Sequence, residues 1–513
     1  MIRGVNWVGD AVMTMPAIRS IRDNFKDGLI SLFVKSWVSE LFRIDPNIND
    51  ILEYKDEYRG ITGKFRAARV IKKLSFDRSY LLQNAIDAAL ISFISRIPER
   101  IGYSRDGRGM LLSRPIKADK DILSLHHIDY YLEMLRRSGL DVTYKLPWIY
   151  PNLDDRMSGR NKLAHLKRPV IGLNPGAAYG SAKRWSSNNF AELAKMIISD
   201  LNGSVVLFGS AKEVTICNEI YNLIDIDHVH GSSLLDMSGK TTLYELCDLI
   251  PECDIVVSND SGPMHICYAS GTPLVALFGS TSPELTGPPE SSFDGAEFSF
   301  EHIVMSSDIE CSPCFERTCR FGHLKCMELI RPEDVFSGIL DLRCSERAVF
   351  FDRDGTLCKD ANYLRSYDDL EIFPSIERIK ILKENGYKII GITNQSGIAR
   401  GIVDDQFVKD VNRIFIDKYG FDDFYYCPHH PDDRCSCRKP FHGMLLKARA
   451  EHKIDLTRSF CVGDKVSDMK AGKLAGCTTV FAGMTDDRPD DHSDLKGTGL
   501  EDCISLIDSY EST

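Results

Sequence analysis

Two aspartates, Asp352 and Asp354, stand two residues apart directly behind the apolar run Ala348-Val349-Phe350-Phe351. In extended backbone, residues i and i+2 leave the same side, so this spacing builds a carboxylate pair at a strand end. Three further pieces follow in order. Ile389 to Ile392 runs into Thr393, Asn394 and Gln395; then come Arg438-Lys439-Pro440; then Cys461-Val462-Gly463-Asp464, with Asp468 four residues on. Together they read as phosphoryl-transfer chemistry. Asp352 would attack phosphorus and carry an aspartyl-phosphate, while Asp354 would protonate the departing alcohol and later deprotonate the hydrolytic water. One carboxylate must then be charged while its neighbour holds a proton. Mg²⁺ suits such a site because it takes hard oxygen ligands and neutralises charge between nucleophile and phosphate; Asp352, Asp464 and the backbone carbonyl of Asp354 would hold it. Thr393 with Asn394, and Lys439 with Arg438, would hold the phosphoryl oxygens. A lone Asp-x-Asp is ordinarily a solvated turn, and it is the ordered set that carries the reading.

These pieces resemble the haloacid dehalogenase superfamily, and within it the D-glycero-D-manno-heptose 1,7-bisphosphate 7-phosphatases and the related histidinol-phosphate phosphatases. The mark of that subgroup is Cys427-Pro428-His429-His430 followed by Cys435-Ser436-Cys437, immediately before Arg438. Two such pairs across a short loop can close a tetrahedral Zn²⁺ site through Cys427, His429, Cys435 and Cys437, with His430 as the alternative to His429. Four filled positions leave none open, so the zinc would be structural and would pin the loop that brings Arg438 and Lys439 to substrate. The competing reading is four reduced side chains in a metal-free loop.

The elements that must position these groups are legible in outline. At 513 residues the chain exceeds one ordinary core and suits three domains. No apolar run reaches the ~18 residues that a membrane span needs, and Met1-Ile2-Arg3-Gly4 does not read as a signal peptide, so a cytoplasmic protein is expected. Sixteen cysteines spread through a large chain, partly at metal-like spacings, read as reduced. A net charge of −11 and the lack of a basic run with interleaved aromatics argue against nucleic-acid binding. Membrane-surface contact is left open through local patches only. Short apolar runs such as Val170 to Leu173, Val205 to Phe208 and Leu274 to Phe278 alternate with amphipathic stretches, which predicts α/β architecture with parallel sheets. Pro332-Glu333-Asp334 opens a helix, and the polar stretch Arg343 to Arg347 precedes the Asp352 strand. The expected divisions are 1–165, 166–340, a linker at 341–347, and 348–513.

Three clusters in the first two-thirds invite chemistry. Asn6 to Met13 is a glycine turn leading into a helix with Pro16 in its first turns, and Asp10 would face a cleft above a sheet, although Gly9-Asp10 alone reads as a helix cap. Leu173-Asn174-Pro175-Gly176 ends a strand with small residues before Lys183 and Arg184, a combination suited to a diphosphate or, failing that, a basic surface turn. Ser258-Asn259-Asp260-Ser261-Gly262-Pro263-Met264-His265 follows a strand and opens a helix, so its amides and the Ser261 hydroxyl can meet phosphate; its plain alternative is a capped helix start.

Together these clusters resemble glycosyltransferase family 9, the ADP-heptose:lipopolysaccharide heptosyltransferases, most of all the heptosyltransferase II branch, over residues 1 to about 340. Leu81 to Asn84, Arg100 to Tyr103, Arg105 to Gly109 and Gly279 to Pro283 support the likeness. It implies a GT-B architecture, two Rossmann-like domains with substrates between them, followed here by the HAD-like Rossmannoid phosphatase. It further implies Asp10 as the base on an acceptor hydroxyl, Lys183 on the nucleotide diphosphate, and Asp260, Ser261, Gly262 and His265 lining the donor pocket. Transfer would invert the anomeric carbon without a catalytic metal, the leaving ADP being stabilised by Lys183, Arg184 and helix N-termini. Only Met1-Ile2 precede Arg3-Gly4-Val5, fewer than is usual in the family, so either the first strand is short or the recorded start lies downstream of the real one.

Cys311, Cys314, Cys319 and Cys326, with His323 nearby, permit a metal by their first spacing, but buried reduced cysteines are the default. The combined expectation is a bifunctional enzyme of lipopolysaccharide core assembly using heptose 1,7-bisphosphate, ADP-heptose and a lipid A-core acceptor, at the cytoplasmic face of the inner membrane. Its rivals are histidinol phosphate as the phosphatase substrate, another nucleotide-sugar donor, or a half that only binds.

Overall fold

Apolar runs of a few residues, bounded by turn residues, form strands buried on both faces. Every residue from Leu274 to Phe278 and from Val349 to Phe351 is fully buried, as parallel sheets covered by helices require. The computed structural model describes residues 1–224, 233–483 and 492–510. It contains three six-stranded sheets. The first holds β1 (Ile2–Arg3), β2 (Ser31–Lys35), β3 (Asp50–Tyr54), β4 (Arg78–Leu81), β5 (Glu99–Tyr103) and β6 (Arg114–Ile116), in the order β3-β2-β1-β4-β5-β6. The second holds β7 (Val170–Asn174), β8 (Ser204–Leu207), β9 (Leu234–Asp236), β10 (Ile255–Asn259), β11 (Leu274–Phe278) and β12 (His302–Ser306), ordered β12-β11-β10-β7-β8-β9. The third holds β13 (Arg347–Asp352), β14 (Tyr387–Asn394), β15 (Asp423–Cys427), β16 (Phe460–Gly463), β17 (Thr478–Phe481) and β18 (Leu495–Lys496), ordered β15-β14-β13-β16-β17-β18. All pairings between these strands are parallel among the described residues, so each sheet repeats one doubly wound plan.

β1 is short, yet it is central, pairing Ile2 with Leu32 and with Tyr80. The buried Arg3 side chain braces it, donating to the carbonyls of Gly4 (2.7 Å) and Phe33 (2.9 Å) and lying over the Phe33 and Tyr54 rings.

The chain forms two compact units. The first comprises Met1–Tyr150, Ser158–Glu290 and His302–Leu342, with the first two sheets; the second comprises the chain from Arg343 onward together with Pro151–Met157 and Ser291–Glu301. These two short segments depart from the contiguous division expected from sequence. The reason is packing: within the second unit Arg156 donates to the Leu474 carbonyl at 3.2 Å, and Phe298 and Phe300 are buried. The linker is also shorter than expected. The helix Pro332–Leu342 runs on because Leu342 is buried, and β13 already begins at Arg347. Among the described residues no helix is long and apolar enough to cross a membrane.

Gly391, in the middle of β14, shows how tightly the third sheet is covered: a Cβ there would fall 2.1 Å from the Phe424 ring. Gly391→Ala should therefore overpack this core and cost ~1–3 kcal/mol in urea denaturation of the second unit. An unchanged midpoint would mean that the ring swings aside freely.

Candidate active sites

β13 ends in Asp352, and the chain then turns tightly, Leu357 and Cys358 both donating to the Arg353 carbonyl at 2.9 and 3.1 Å. Gly355 holds φ +101°, and a Cβ on it would fall 2.2 Å from the Asp464 carboxylate. Glycine is thus what lets the loop after β16 approach the loop after β13. The carboxylates of Asp352, Asp464 and Asp468 lie within 4.8 Å of one another. Lys439 binds two of them, its Nζ lying 2.6 Å from Asp352 and 2.7 Å from Asp468, and it donates to the Ile392 carbonyl at 3.1 Å. Burial opposes the Lys439 charge, but Asp352 and Asp468 raise its pKa above the usual value. Burial likewise drives the Asp352 carboxyl well up, against the pull of Lys439 and with the push of Asp468 and Asp464.

Asp354 behaves oppositely. Arg353, almost fully buried, grips it through Nε and Nη2 at 3.1 and 3.0 Å, while Gln395 and Thr393 donate to its Oδ2 at 2.7 and 3.2 Å. Burial works to raise the Asp354 carboxyl, but the Arg353 charge and these hydrogen bonds outweigh it and leave it below the ordinary carboxylate range. The two shifts run opposite to the order that the expected chemistry asks, burial pushing Asp352 up and Arg353 holding Asp354 down.

Asn394 does not point at open space. Its side chain donates to the Lys439 carbonyl and accepts from the Lys439 N–H, both at 3.1 Å, clamping the peptide that aims the lysine. Arg438 Nη1 and Asp464 Oδ1 are buried with no hydrogen-bond partner among the described residues. An unmatched guanidinium nitrogen suits an anion, and an unmatched carboxylate oxygen beside Asp352 suits a hard cation, so the residues fit both phosphate and Mg²⁺. Asp468 joins Asp352 and Asp464 in the cluster, while Asp354, expected to offer its backbone carbonyl, turns its carboxylate to Arg353. Asp468 and Gln395 stand in the motifs read from the sequence but were given no role there, and Arg353 was given none either; for Asp468 the signal was its spacing from Asp464, which puts it in the first turn of the helix Val466–Ala475.

The cysteine loop is gathered. Cys427, at the end of β15, has its sulfur 3.5 Å from Cys435 Sγ and 3.6 Å from His429 Nδ1, which lies 3.3 Å from Cys437 Sγ. Zn–S and Zn–N bond lengths give tetrahedral edges of roughly 3.5–3.8 Å, so the four atoms fit a zinc ion. His430 is used elsewhere, its Nδ1 accepting from the Asp432 N–H at 3.3 Å, and it is His429 that is gathered with the three cysteines.

In the first unit, Asp10 lies in the first turn of the helix Val8–Met13, whose cap is Trp7. Gly9 permits a close crossing: a Cβ there would fall 2.6 Å from the His265 ring, on the helix Gly262–Ala269. His265 is buried, contacts Tyr268 Oη through Nδ1 at 2.8 Å, and is pushed down to about 4 by burial although Asp260 and Asp10 act to raise it. It is therefore neutral. His127 Nδ1 stands 3.6 Å from Asp10. Lys183 meets Asp260 at 2.5 Å, and Thr281 donates to the same Asp260 oxygen at 2.6 Å. Ser261 Oγ accepts from Asn174 at 2.8 Å, and Arg184 Nε is buried without a partner among the described residues. Lys183, Asp260, Ser261 and His265 thus come together near Asp10, and His127, Thr281 and Asn174 join them without having been assigned a role from sequence. Cys311, Cys314, Cys319 and Cys326 do not form one of the clusters of gathered ligand atoms among the described residues.

Residues 64–325 match the family described as glycosyltransferase family 9 (heptosyltransferase), and residues 347–496 match the family described as polynucleotide kinase 3 phosphatase. The chain therefore belongs to glycosyltransferase family 9 and carries a phosphatase fused behind it. It is 31% identical to lipooligosaccharide heptosyltransferase 2 of Campylobacter jejuni over 340 residues, 66% of this chain and 96% of that protein. Its C-terminal part is 45% identical to the D-glycero-β-D-manno-heptose-1,7-bisphosphate 7-phosphatase of Photorhabdus laumondii over 141 residues, 25% of this chain and 75% of that protein. The solved structure of E. coli ADP-heptose lipopolysaccharide heptosyltransferase II superposes with a TM-score of 0.57 at 27% identity, covering 66% of this chain and 97% of that one. The two sheets of the first unit are accordingly a GT-B pair.

Gly355→Ala should displace Asp464 from the acidic cluster and lower the phosphatase rate about 10²-fold, as an ångström-scale misplacement can. Steady-state phosphate release would read it; a rate within twofold of wild type would mean the contact is not needed.

Proposed function

We propose that this chain is a bifunctional enzyme of lipopolysaccharide inner-core assembly, which removes the 7-phosphate of D-glycero-D-manno-heptose 1,7-bisphosphate and transfers heptose from ADP-heptose to a heptosyl-Kdo-lipid A acceptor. The observation that carries it is the presence in one polypeptide of the Asp352-Asp464-Asp468-Lys439 constellation and of a heptosyltransferase-like pair of sheets. In the phosphatase, an Asp352 oxygen bonds to phosphorus as the bond from phosphorus to the C7 oxygen breaks, and a proton from Asp354 goes to that oxygen. Water then attacks the aspartyl-phosphate, gives its proton to Asp354 and frees the Asp352 carboxylate with release of phosphate. Bound Mg²⁺, held by Asp352, Asp464 and the Asp354 carbonyl, supplies neutralising charge. Lys439 and Arg438 orient the phosphoryl oxygens, and zinc on Cys427, His429, Cys435 and Cys437 is structural.

In the transferase, Asp10 takes the proton of the acceptor hydroxyl. The freed oxygen bonds to the anomeric carbon from the face opposite ADP, so configuration inverts. Lys183, now paired with Asp260, and Arg184 hold the diphosphate as it departs. An acceptor carrying lipid A places the work at the cytoplasmic face of the inner membrane.

Phosphate release with Mg²⁺ from heptose 1,7-bisphosphate, histidinol phosphate and a hexose phosphate tests the substrate. The bisphosphate is expected to lead by at least about tenfold in kcat/KM; equal rates, or a lead for histidinol phosphate, would remove the assignment. Asp352→Asn should abolish phosphate release and leave heptose transfer intact, while Asp10→Ala should do the opposite. Loss of both activities in either variant would refute independent chemistry at the two sites.

A further inference from the structure

Glu297 lies in Ser291–Glu301, a segment of the transferase sequence that belongs to the second unit. Its side chain is 7% exposed, and such a buried carboxylate needs donors. Oε2 accepts the Ser436 N–H at 2.8 Å and the Ser436 hydroxyl at 3.0 Å. Ser436 is the residue between the zinc-loop cysteines Cys435 and Cys437. Oε1 lies 3.9 Å from Nε2 of His429, while Nδ1 of the same ring faces Cys427 and Cys437. A histidine that ligates through Nδ1 carries its proton on Nε2, and a carboxylate facing that nitrogen, here by an electrostatic contact longer than a hydrogen bond, favours that tautomer and makes the ring a better ligand.

The backbone around this contact is cleared for it. A Cβ on Gly443 would fall 2.6 Å from the Ser436 carbonyl and 2.8 Å from the Glu297 carbonyl. The segment is also tied to itself, Ser291 Oγ donating to the Phe300 carbonyl at 2.7 Å and Ser299 Oγ to the Ser291 carbonyl at 3.0 Å. Buried Phe298 and Phe300, and an ion pair between Glu301 and Lys453, hold it in place.

We propose that Glu297 is a positioning residue of the phosphatase zinc loop, supplied from outside the contiguous phosphatase sequence, and that retention of zinc by Cys427, His429, Cys435 and Cys437 depends on it. The inference rests on the reading of that loop as a zinc site. In the test, full-length wild type, Glu297→Gln and Glu297→Ala are reconstituted with Zn²⁺ and assayed for bound metal, then for the rate of zinc release to a chromophoric chelator. Wild type should bind about one zinc. Glu297→Gln keeps an acceptor for Ser436 and its volume but loses the carboxylate facing His429, so zinc should leave about 10- to 100-fold faster. Glu297→Ala should lose more. If the alanine variant fails to fold, the glutamine variant, checked by circular dichroism, decides alone. Wild-type release rates in the folded variants would overturn the role of Glu297. A wild-type chain that takes up no zinc would overturn the zinc reading itself, and this inference with it.

Discussion

Where a parallel sheet reverses its winding, the loops leaving two neighbouring strands diverge, and a crevice opens at their carboxyl ends. The candidate catalytic groups of this chain depend on that geometry. Asp10 follows β1; Lys183 and Asp260 follow β7 and β10, which are neighbours; Asp352 ends β13 and Asp464 follows β16, again neighbours. Residues 77 positions apart in sequence are thereby brought to 2.5 Å, as Lys183 and Asp260 are. The loops can converge only where side chains are missing from the approach, which is the service that Gly9 gives to His265 and Gly355 to Asp464.

Concentrating acids in such a crevice costs solvation, and in the second unit the deeply buried Lys439 offsets part of that cost. Lys439 stays charged in spite of burial because Asp352 and Asp468 both hold it. Removing one partner of such a set is far worse than never having built it, since the remaining charge is left buried and alone. This explains why so much structure is spent on a single lysine: Asn394 clamps its peptide at both ends, and the cysteine loop stands immediately before it.

Much of this was legible in the sequence because the signals were local. Apolar runs ending in acids, glycines at turns and paired cysteines each report on a few neighbouring residues, and they marked the strands, Asp352, Lys439 and the four gathered side chains of the cysteine loop. What escaped notice depends on contacts between distant segments. Arg353 reads as an ordinary polar residue between two aspartates until its side chain is seen gripping Asp354. Asn394 resembles a substrate ligand until its two bonds to Lys439 are in view. The segment Ser291–Glu301 carries no motif, and its place in the second unit shows only in long-range contacts such as those of Glu297 with Ser436 and Glu301 with Lys453.

The inverted proton order of Asp352 and Asp354 has a physical consequence for the proposed chemistry. Burial among carboxylates disfavours a charge on Asp352, and Arg353 favours one on Asp354, so the protein by itself does not prepare the nucleophile. Two additions correct both errors at once. A divalent cation beside Asp352 and Asp464 favours the ionised form of the attacking carboxylate. A phosphoryl anion close to Asp354 opposes the Arg353 field and favours the protonated form of the acid. In the proposed chemistry, metal and substrate together would thus move the two carboxyls toward the states that the reaction asks for.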